Sequence, residues 1–311
     1  MSKNTRKTIL KLLAWGVVLL VAYFFATALA RDWENVRETL FSMSPVAWGS
    51  IVCFVAAVAV SGSLWARLVR QMSGKQVNMA DAVRIHSASW LLKYVPGQVG
   101  SLVNKLAWAQ GQGYSKKTIG TSVIYENVLM VFASMLLAIP ALIVVGFGVL
   151  GDTTILLALL AVVPLLVICH KKVFYTILNT ALRLAKRKPL ADSELLSTSQ
   201  IIVNTLYYML PRILNGIGFV IIAAAMLPVT AEMMIPLASI FIFAGAIGML
   251  ALFVPSGLGV REGVIVLMAS VYFPLDQVIV LALVARFFAT VADIGVFFVY
   301  ILLNKGRLVQ K

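Results

Sequence analysis

Charged residues are scarce in this chain, and most of those present are basic. Only 12% of the 311 residues are charged, whereas 61% are hydrophobic, and 26 lysines and arginines stand against 12 acidic residues. A soluble protein of this length has too little interior to bury so much apolar surface. The composition therefore excludes a soluble globular domain and predicts an all-α polytopic membrane protein, with a single transmembrane domain over residues 1–311.

Cysteine and histidine are nearly absent, with two of each in the chain. Cys53 and Cys169 fall in apolar segments without the spacing of metal ligands, and His86 and His170 lie far apart, one near each of two cytoplasmic ends, so no metal site is indicated. The sequence patterns of metalloproteases, of serine hydrolases and of phosphate-binding loops are also missing. We therefore expect no metal, no cofactor and no enzymatic activity.

The basic residues lie between or beside the apolar segments, as the positive-inside rule predicts for cytoplasmic regions. One cluster, from Lys171 to Lys188, indicates a basic cytoplasmic linker over residues 171–198. This distribution explains the net charge of +14 by membrane topology and argues against nucleic-acid binding. It predicts a multi-pass protein of the cytoplasmic (inner) membrane with both termini in the cytoplasm.

A short motif with proline and glycine occurs twice inside apolar sequence. Residues 94–100 read YVPGQVG and residues 253–259 read FVPSGLG, so that Pro96 and Pro255 are 159 positions apart. Matching interruptions of two apolar segments are typical of transporters built from repeats, in which the binding site lies at the interruption. The sequence thus predicts two hairpin turns, formed by Pro96, Gly97, Gly100, Pro255, Gly257 and Gly259.

The repeat and the charge distribution together predict about six full spans and two re-entrant helical hairpins. The spans are expected near 9–30, 46–68, 117–147, 153–170, 200–227 and 277–303, and the hairpins at 80–110 and 235–274. Residues 46–147 would then form a first repeat and residues 205–303 an inverted second repeat. Because 235–254 is long enough to cross a bilayer, two interpretations of 235–254 and 258–274 stay open, re-entrant or spanning, the latter giving eight spans.

Ionisable residues inside apolar segments cost about 2.5–3.5 kcal/mol each, so most should face a cavity or a partner. Glu126 and Arg286 lie at similar depths on corresponding spans, which suggests that they meet, as a structural ion pair, at the substrate or in proton coupling. Arg261 begins a half-helix and is suited to bind an anion. The predicted substrate-binding residues are Arg261, Glu262, Arg286, Glu126 and Lys105.

Three ionisable residues in the apolar segments have alternative roles. Glu262 lies in a first helical turn and either contacts substrate or complements the helix dipole. Lys105 either contacts the headgroup or extends to the membrane interface. Asp293, seven residues after Arg286 on the same helix face, either balances that arginine or couples transport to an ion or proton.

The sequence resembles the transmembrane, flippase-like region of lysylphosphatidylglycerol synthases. The resemblance rests on Pro96-Gly97 and Gly100, on Glu126, and on the string PSGLGVREG at 255–263 followed by Arg286. Ser256 replaces a usual glycine, and Asn127 stands where an arginine commonly follows the glutamate. The large carboxy-terminal synthase domain of those enzymes is absent from this sequence, so aminoacyl transfer to lipid is not expected.

The resemblance implies movement of a lipid with a bulky polar headgroup between leaflets. We expect a lipid translocase in which Arg261, Arg286 and Lys105 hold a phosphate while Glu126 and Glu262 contact amine or hydroxyl groups. The expected substrates are a polyprenyl-phosphate-linked sugar or an aminoacylated phosphatidylglycerol, and the expected partners are membrane lipids and a separately encoded synthase or glycosyltransferase. The alternatives are a small-solute or ion-coupled secondary transporter and a membrane-embedded transferase.

Overall fold

The computed structural model describes residues 33–94, 99–150, 171–184, 195–251 and 254–308. This part of the chain is all-α, as the composition predicted, and its three short 3-10 turns are Pro45–Trp48, Leu92–Tyr94 and Pro255–Gly257. Its helices are α1 (Trp33–Ser42), α2 (Gly49–Ser73), α3 (Met79–Leu91), α4 (Val99–Gly111), α5 (Lys116–Leu137), α6 (Ile139–Leu150), α7 (Lys171–Leu184), α8 (Thr198–Met226), α9 (Ala231–Leu250), α10 (Val260–Ala269) and α11 (Leu275–Leu308).

Five helical segments in the described ranges are long and apolar enough to cross a membrane, which confirms a polytopic membrane protein. They are Pro45–Ser73, Lys116–Leu137, Thr198–Met226, Ala231–Leu250 and Leu275–Asn304. The predicted spans 9–30 and 153–170 lie outside the described residues. With 13, 13 and 10 residues, α3, α4 and α10 extend only about 20, 20 and 15 Å, less than a bilayer core of about 30 Å. Each predicted hairpin therefore contains at least one helix that is too short to span.

The two faces of α8 show how the long helices divide lipid from interior. Leu206, Leu210, Ile213 and Ile217 recur at helical spacing and are 58%, 50%, 40% and 44% exposed. The opposite face carries residues that are buried or line the interior, among them Tyr208, Arg212, Asn215 and Phe219. Because a helix turns about 100° per residue, the two sets lie on opposite sides of α8. The exposed stripe suits hydrocarbon, and the other face brings polar groups inside.

The helices pack in a pattern that occurs twice. α3 packs against α2 and α11, and α4 packs against α5; in the second half, α9 packs against α8 and α5, and α10 packs against α11. The two first long helices, α2 and α8, also pack against each other. Each hairpin therefore contacts the long helices of both halves, and the opposite orientation of the halves across a membrane stays a prediction.

The two hairpin turns meet inside this bundle, where Leu92–Tyr94 packs against Pro255–Gly257. In the second turn Gly257 has a φ of 63° and Gly259 a φ of 78°, a region that favours glycine. A Cβ atom on Gly257 would lie 2.8 Å from the Cα atom of Gly248 in α9, so the turn is packed tightly against that helix. Pro96 and Gly97 of the first turn lie outside the described residues, and Gly100 lies in the first turn of α4.

One detail of the predicted organisation is wrong. The single span expected at 117–147 is divided into α5 and α6 at Ala138, because Pro140 has no N–H to bond the carbonyl of residue 136 and its ring crowds that carbonyl. Within the predicted linker 171–198, residues Lys171–Leu184 form the helix α7, and the cytoplasmic location of the linker stays a prediction. The buried Phe174 of α7 stacks on Tyr125 of α5 with ring centroids 4.9 Å apart, so this segment is packed against the bundle.

Candidate functional site

A cavity of about 190 Å³ lies where the two hairpin turns meet. Its walls come from both hairpins and from α2, α5, α8 and α11, so both halves of the bundle contribute. Its charged lining residues are Lys93, Lys105, Glu126, Arg212, Arg261 and Asp293. Charged groups at the junction of apolar helices are costly unless they serve a partner or a ligand, which makes this cavity the candidate site.

The first charged cluster, defined as His86, Lys105 and Glu126, joins α3, α4 and α5. The Nζ atom of Lys105 donates a hydrogen bond to Oε2 of Glu126 at 2.5 Å, and Nδ1 of His86 lies 3.0 Å from Oε1. Lys105 is 1% exposed, and its Nζ atom also lies 4.5 Å from the centre of the Trp65 ring. The burial of Lys105 rules out the alternative that it extends to the membrane interface.

The second charged pair, Glu262 and Arg286, joins α10 to α11 behind the second turn. Nη1 of Arg286 lies 3.5 Å from Oε1 of Glu262 and donates to the backbone carbonyl of Ser256 at 3.4 Å. Oε2 of Glu262 accepts the backbone N–H of Gly259 at 2.7 Å, which satisfies a donor at the start of α10. This pair holds the shape of the turn, and neither side chain is part of the cavity lining.

A bridging pair, Lys93 and Asp293, connects the first hairpin turn to α11 of the other half. Nζ of Lys93 donates to Oδ1 of Asp293 at 2.8 Å, and Nε1 of Trp90 donates to the same oxygen at 2.9 Å. The ammonium of Lys93 also lies 4.4 Å from the centre of the Trp90 ring. Both charges of this pair line the cavity, so they face a bound molecule as well as each other.

Two further cations on the cavity, called the cavity arginines, are Arg212 of α8 and Arg261 of α10. Arg212 is 8% exposed, and its Nε atom has no hydrogen-bond partner among the described residues. The guanidinium of Arg261 lies over the ring of Phe241, 4.0 Å from its centre. No described carboxylate lies within ion-pair distance of either arginine. These cations are therefore the part of the site that is not neutralised within the described bundle.

Comparison with known proteins identifies the family. The family model described as the lysylphosphatidylglycerol synthase TM region matches residues 12–296. The chain belongs to this family. The match confirms the resemblance drawn from the two motifs, and it makes the protein a membrane protein related to the handling of lysylphosphatidylglycerol. No curated protein matches the chain.

Most predicted site residues of this family member lie at or next to the cavity. Lys105, Glu126, Arg261, Asp293 and the turn residue Gly257 line it. The expected contact between Glu126 and Arg286 is wrong, because each side chain pairs within its own half of the bundle. Equal depth in the membrane does not fix which face of a helix a residue occupies, and the faces of these two residues turn to different neighbours.

Asp293 and Glu262 also have partners that differ from the expected ones. Asp293 bonds to Lys93 rather than balancing Arg286, so a structural pairing exists for it, and its coupling role stays a prediction. Glu262 caps the start of α10, as one of its two interpretations required. The substrate-binding roles of the five predicted residues likewise stay predictions.

Three further residues line the cavity that were not among the predicted site residues, namely His86, Lys93 and Arg212; the last two are ionisable residues inside apolar segments, which were expected to face a cavity or a partner. His86 was set aside as isolated, although it precedes Pro96 by ten positions and Lys105 follows Pro96 by nine. A hairpin that turns at Pro96 brings these positions together, which is the signal that was available. Among the described residues, no group of three His, Cys, Asp or Glu side chains is placed to hold a metal ion.

Proposed function

We propose that the chain is a translocase that moves a lipid with a phosphate-containing polar headgroup across the cytoplasmic membrane. The observation that supports this proposal most strongly is the cavity, which six charged side chains and His86 line at the junction of two hairpins. The surrounding long helices present apolar outer faces. Such a cavity accepts the polar headgroup while the apolar tails stay in the bilayer.

Family membership favours a lipid as the transported molecule. The two substrates that we consider are a polyprenyl-phosphate-linked sugar and an aminoacylated phosphatidylglycerol. In both cases a separately encoded synthase or glycosyltransferase would make the lipid, and this chain would bind and release it without changing a covalent bond. Arg261 and Lys105 are the predicted phosphate contacts that line the cavity, with Glu126 beside them.

The arrangement of the two hairpins suits a pathway for the headgroup across the membrane. The hairpin α3–α4 would enter from the cytoplasmic side and α9–α10 from the opposite side, with their turns in contact at the cavity. The short helices α3, α4 and α10 suit this arrangement, because irregular backbone at membrane depth is tolerated where protein or water surrounds it. Both termini would then be cytoplasmic, in agreement with the basic residues near them.

The proposal is tested by reconstituting the purified chain into liposomes and following fluorescent and headgroup-labelled lipids. Wild-type protein should speed the transfer of a phosphate-containing lipid between leaflets. Arg261→Ala should slow that transfer about tenfold or more, because it removes a charge-assisted contact at the cavity. Arg70→Ala is the matched control, since Arg70 is exposed in the last turn of α2 and does not line the cavity.

Three results would contradict the proposal. If folded protein gives no acceleration over empty vesicles for any phospholipid or polyprenyl phosphate, a small-solute or ion-coupled transporter becomes the better interpretation. If the purified chain transfers a labelled sugar or aminoacyl donor to lipid, the protein is a transferase. If Arg261→Ala and Arg70→Ala behave alike, the cavity is not the site of translocation.

A further inference from the structure

The charge of the cavity is unbalanced. Among its described lining residues, four cationic side chains stand against two carboxylates, so that with a neutral His86 an excess of two positive charges remains. Each carboxylate is already engaged by a lysine, Glu126 by Lys105 at 2.5 Å and Asp293 by Lys93 at 2.8 Å. The excess therefore resides on the cavity arginines, Arg212 and Arg261.

A buried guanidinium without a carboxylate is costly, and this cost points to a ligand. Arg212 is more than nine-tenths buried, and its Nε–H finds no acceptor among the described residues. The hydroxyl of Tyr208, one turn earlier on the same face of α8, is also buried without a hydrogen-bond partner in the described part of the chain. Unsatisfied buried donors are rare in folded proteins and are commonly satisfied by a ligand, an ion or a water molecule.

The second arginine, Arg261, contacts an aromatic ring, and like Arg212 it has no described carboxylate within ion-pair distance. The ring of Phe241 lies under the guanidinium of Arg261 and leaves its edge N–H groups available to an acceptor. The neighbouring Glu262, which is the nearest carboxylate in sequence, is engaged by Gly259 and Arg286. Planar guanidinium groups match the geometry of phosphate oxygens, with two parallel N–H bonds to one phosphoryl group.

We propose that Arg212 and Arg261 together form a phosphate-binding site, and that the transported headgroup is anionic rather than cationic. This inference rests on the proposed function in taking the occupant to be a lipid. A phosphomonoester or diphosphate headgroup brings the negative charge that the cavity lacks. A headgroup of lysylphosphatidylglycerol carries one negative phosphodiester and two protonated amines, so its net charge has the sign that the cavity repels.

This distinction separates the two substrates left open above. A polyprenyl phosphate or diphosphate, with or without a neutral sugar, is anionic and complements the cavity. The same phosphate chemistry is available from free inorganic phosphates, so the experiment must separate a lipid from a soluble anion. The choice between the two substrates rests on the charge balance of this particular cavity, and family membership alone does not make it.

The first experiment measures binding by the thermal unfolding midpoint of purified protein in neutral detergent. The probes are inorganic pyrophosphate and a short-chain phosphatidic acid, because ligands that bind the folded state raise the midpoint. Wild-type protein is compared with Arg212→Gln, Arg261→Gln and the exposed control Arg70→Gln. We expect stabilisation of wild-type and Arg70→Gln, with an apparent affinity about tenfold weaker in the two cavity variants.

The unliganded variants provide a second readout. Removing an unpaired buried cation relieves a cost, so Arg212→Gln without ligand should unfold at the same temperature as wild type or a higher one. If Arg212 instead has a structural role, Arg212→Gln unfolds at a lower temperature, and the inference is overturned. Stabilisation by pyrophosphate as well as by the lipid shows a site for phosphate in general, and stabilisation by the lipid alone shows that the tail is also recognised.

The second experiment measures translocation of three labelled lipids that share their tails and differ in headgroup charge. They are a phosphatidic acid, a phosphatidylethanolamine and lysylphosphatidylglycerol. The anionic lipid should move about tenfold faster than the cationic one, and this preference should vanish in Arg212→Gln and Arg261→Gln. Faster movement of the cationic lipid overturns the inference while it supports translocation. Arginine-dependent phosphate binding without movement of any lipid overturns the proposed function and leaves the phosphate site supported.

Discussion

Each half of the bundle fastens the second helix of its hairpin to the following long helix with a buried ion pair, but the polarity is reversed. In the first half, Lys105 of the hairpin pairs with Glu126 of the long helix at 2.5 Å. In the second half, Glu262 of the hairpin pairs with Arg286 of the long helix at 3.5 Å. The two halves therefore share a backbone plan, and they differ in the charge that each element carries.

This difference separates two tasks. The first charged cluster lies on the cavity, whereas the second charged pair lies behind the turn and bonds to its backbone at Ser256 and Gly259. Glu262 pairs with Arg286, whereas the neighbouring Arg261 forms no ion pair with a described carboxylate and faces the cavity. In the second half, the ion pair thus stabilises the turn that precedes the cavity residue Arg261. In the first half, the paired side chains Lys105 and Glu126 themselves line the cavity.

The strongest test of this comparison is removal of one charge from the first cluster. Lys105→Met leaves the buried Glu126 carboxylate without its ammonium, and breaking a buried pair in this way costs about 3–5 kcal/mol. The thermal unfolding midpoint of detergent-purified protein should fall sharply. Adding Glu126→Gln to Lys105→Met should restore most of the loss, because the double variant buries no unpaired charge. If the two substitutions destabilise additively, the ion pair is not what holds α4 to α5.

The second pair should respond more weakly and in two separable parts. Its side chains are 11% and 8% exposed and its separation is longer, so Glu262→Gln should cost only about 1 kcal/mol, since the amide oxygen still accepts the N–H of Gly259. Glu262→Ala also removes the cap and should cost about 2 kcal/mol. Unfolding midpoints measure both. Equal losses in the two variants would contradict a capping role and leave only the charge interaction.

The backbone plan was predictable from sequence because its signals are local. Apolar length, proline and glycine predicted a hairpin at 80–110 and a span at 200–227, where the structure has the helices Met79–Leu91, Val99–Gly111 and Thr198–Met226. The charge pairing was not predictable to the same degree. Successive side chains of a helix point about 100° apart, so the depth of Glu126 and Arg286 along their helices did not determine their partners.

Residues whose surroundings are formed by more than one helix were the hardest to assign. Arg212 lies inside the predicted span 200–227, but its lack of a described carboxylate partner depends on how α8 packs against its neighbours. The contact of His86 with Glu126 depends on the packing of α3 beside α5, which the local sequence does not indicate. The basic composition of the linker did not indicate the helix α7, although Phe174 of this helix packs against α5.

The smallest expected effect lies at Ser256, where the second motif lacks a glycine that the first motif has. Ser256 has a φ of 54°, the left-handed region that costs a residue with a side chain about 1–2 kcal/mol. The corresponding position of the first motif, 159 residues earlier, is Gly97. Ser256→Gly should relieve this strain, and after the entropy that glycine adds to the unfolded chain the net gain should be about 0.5 kcal/mol.

A slight rise of the unfolding midpoint measures this gain, and Ser256→Ala is the matched control because it keeps the Cβ atom and hence the strain. The carbonyl of Ser256 that accepts from Arg286 is backbone and persists in both variants. If Ser256→Ala stabilises as much as Ser256→Gly, the gain comes from the hydroxyl rather than from the backbone. If only glycine stabilises, the gain comes from relief of the backbone strain at Ser256.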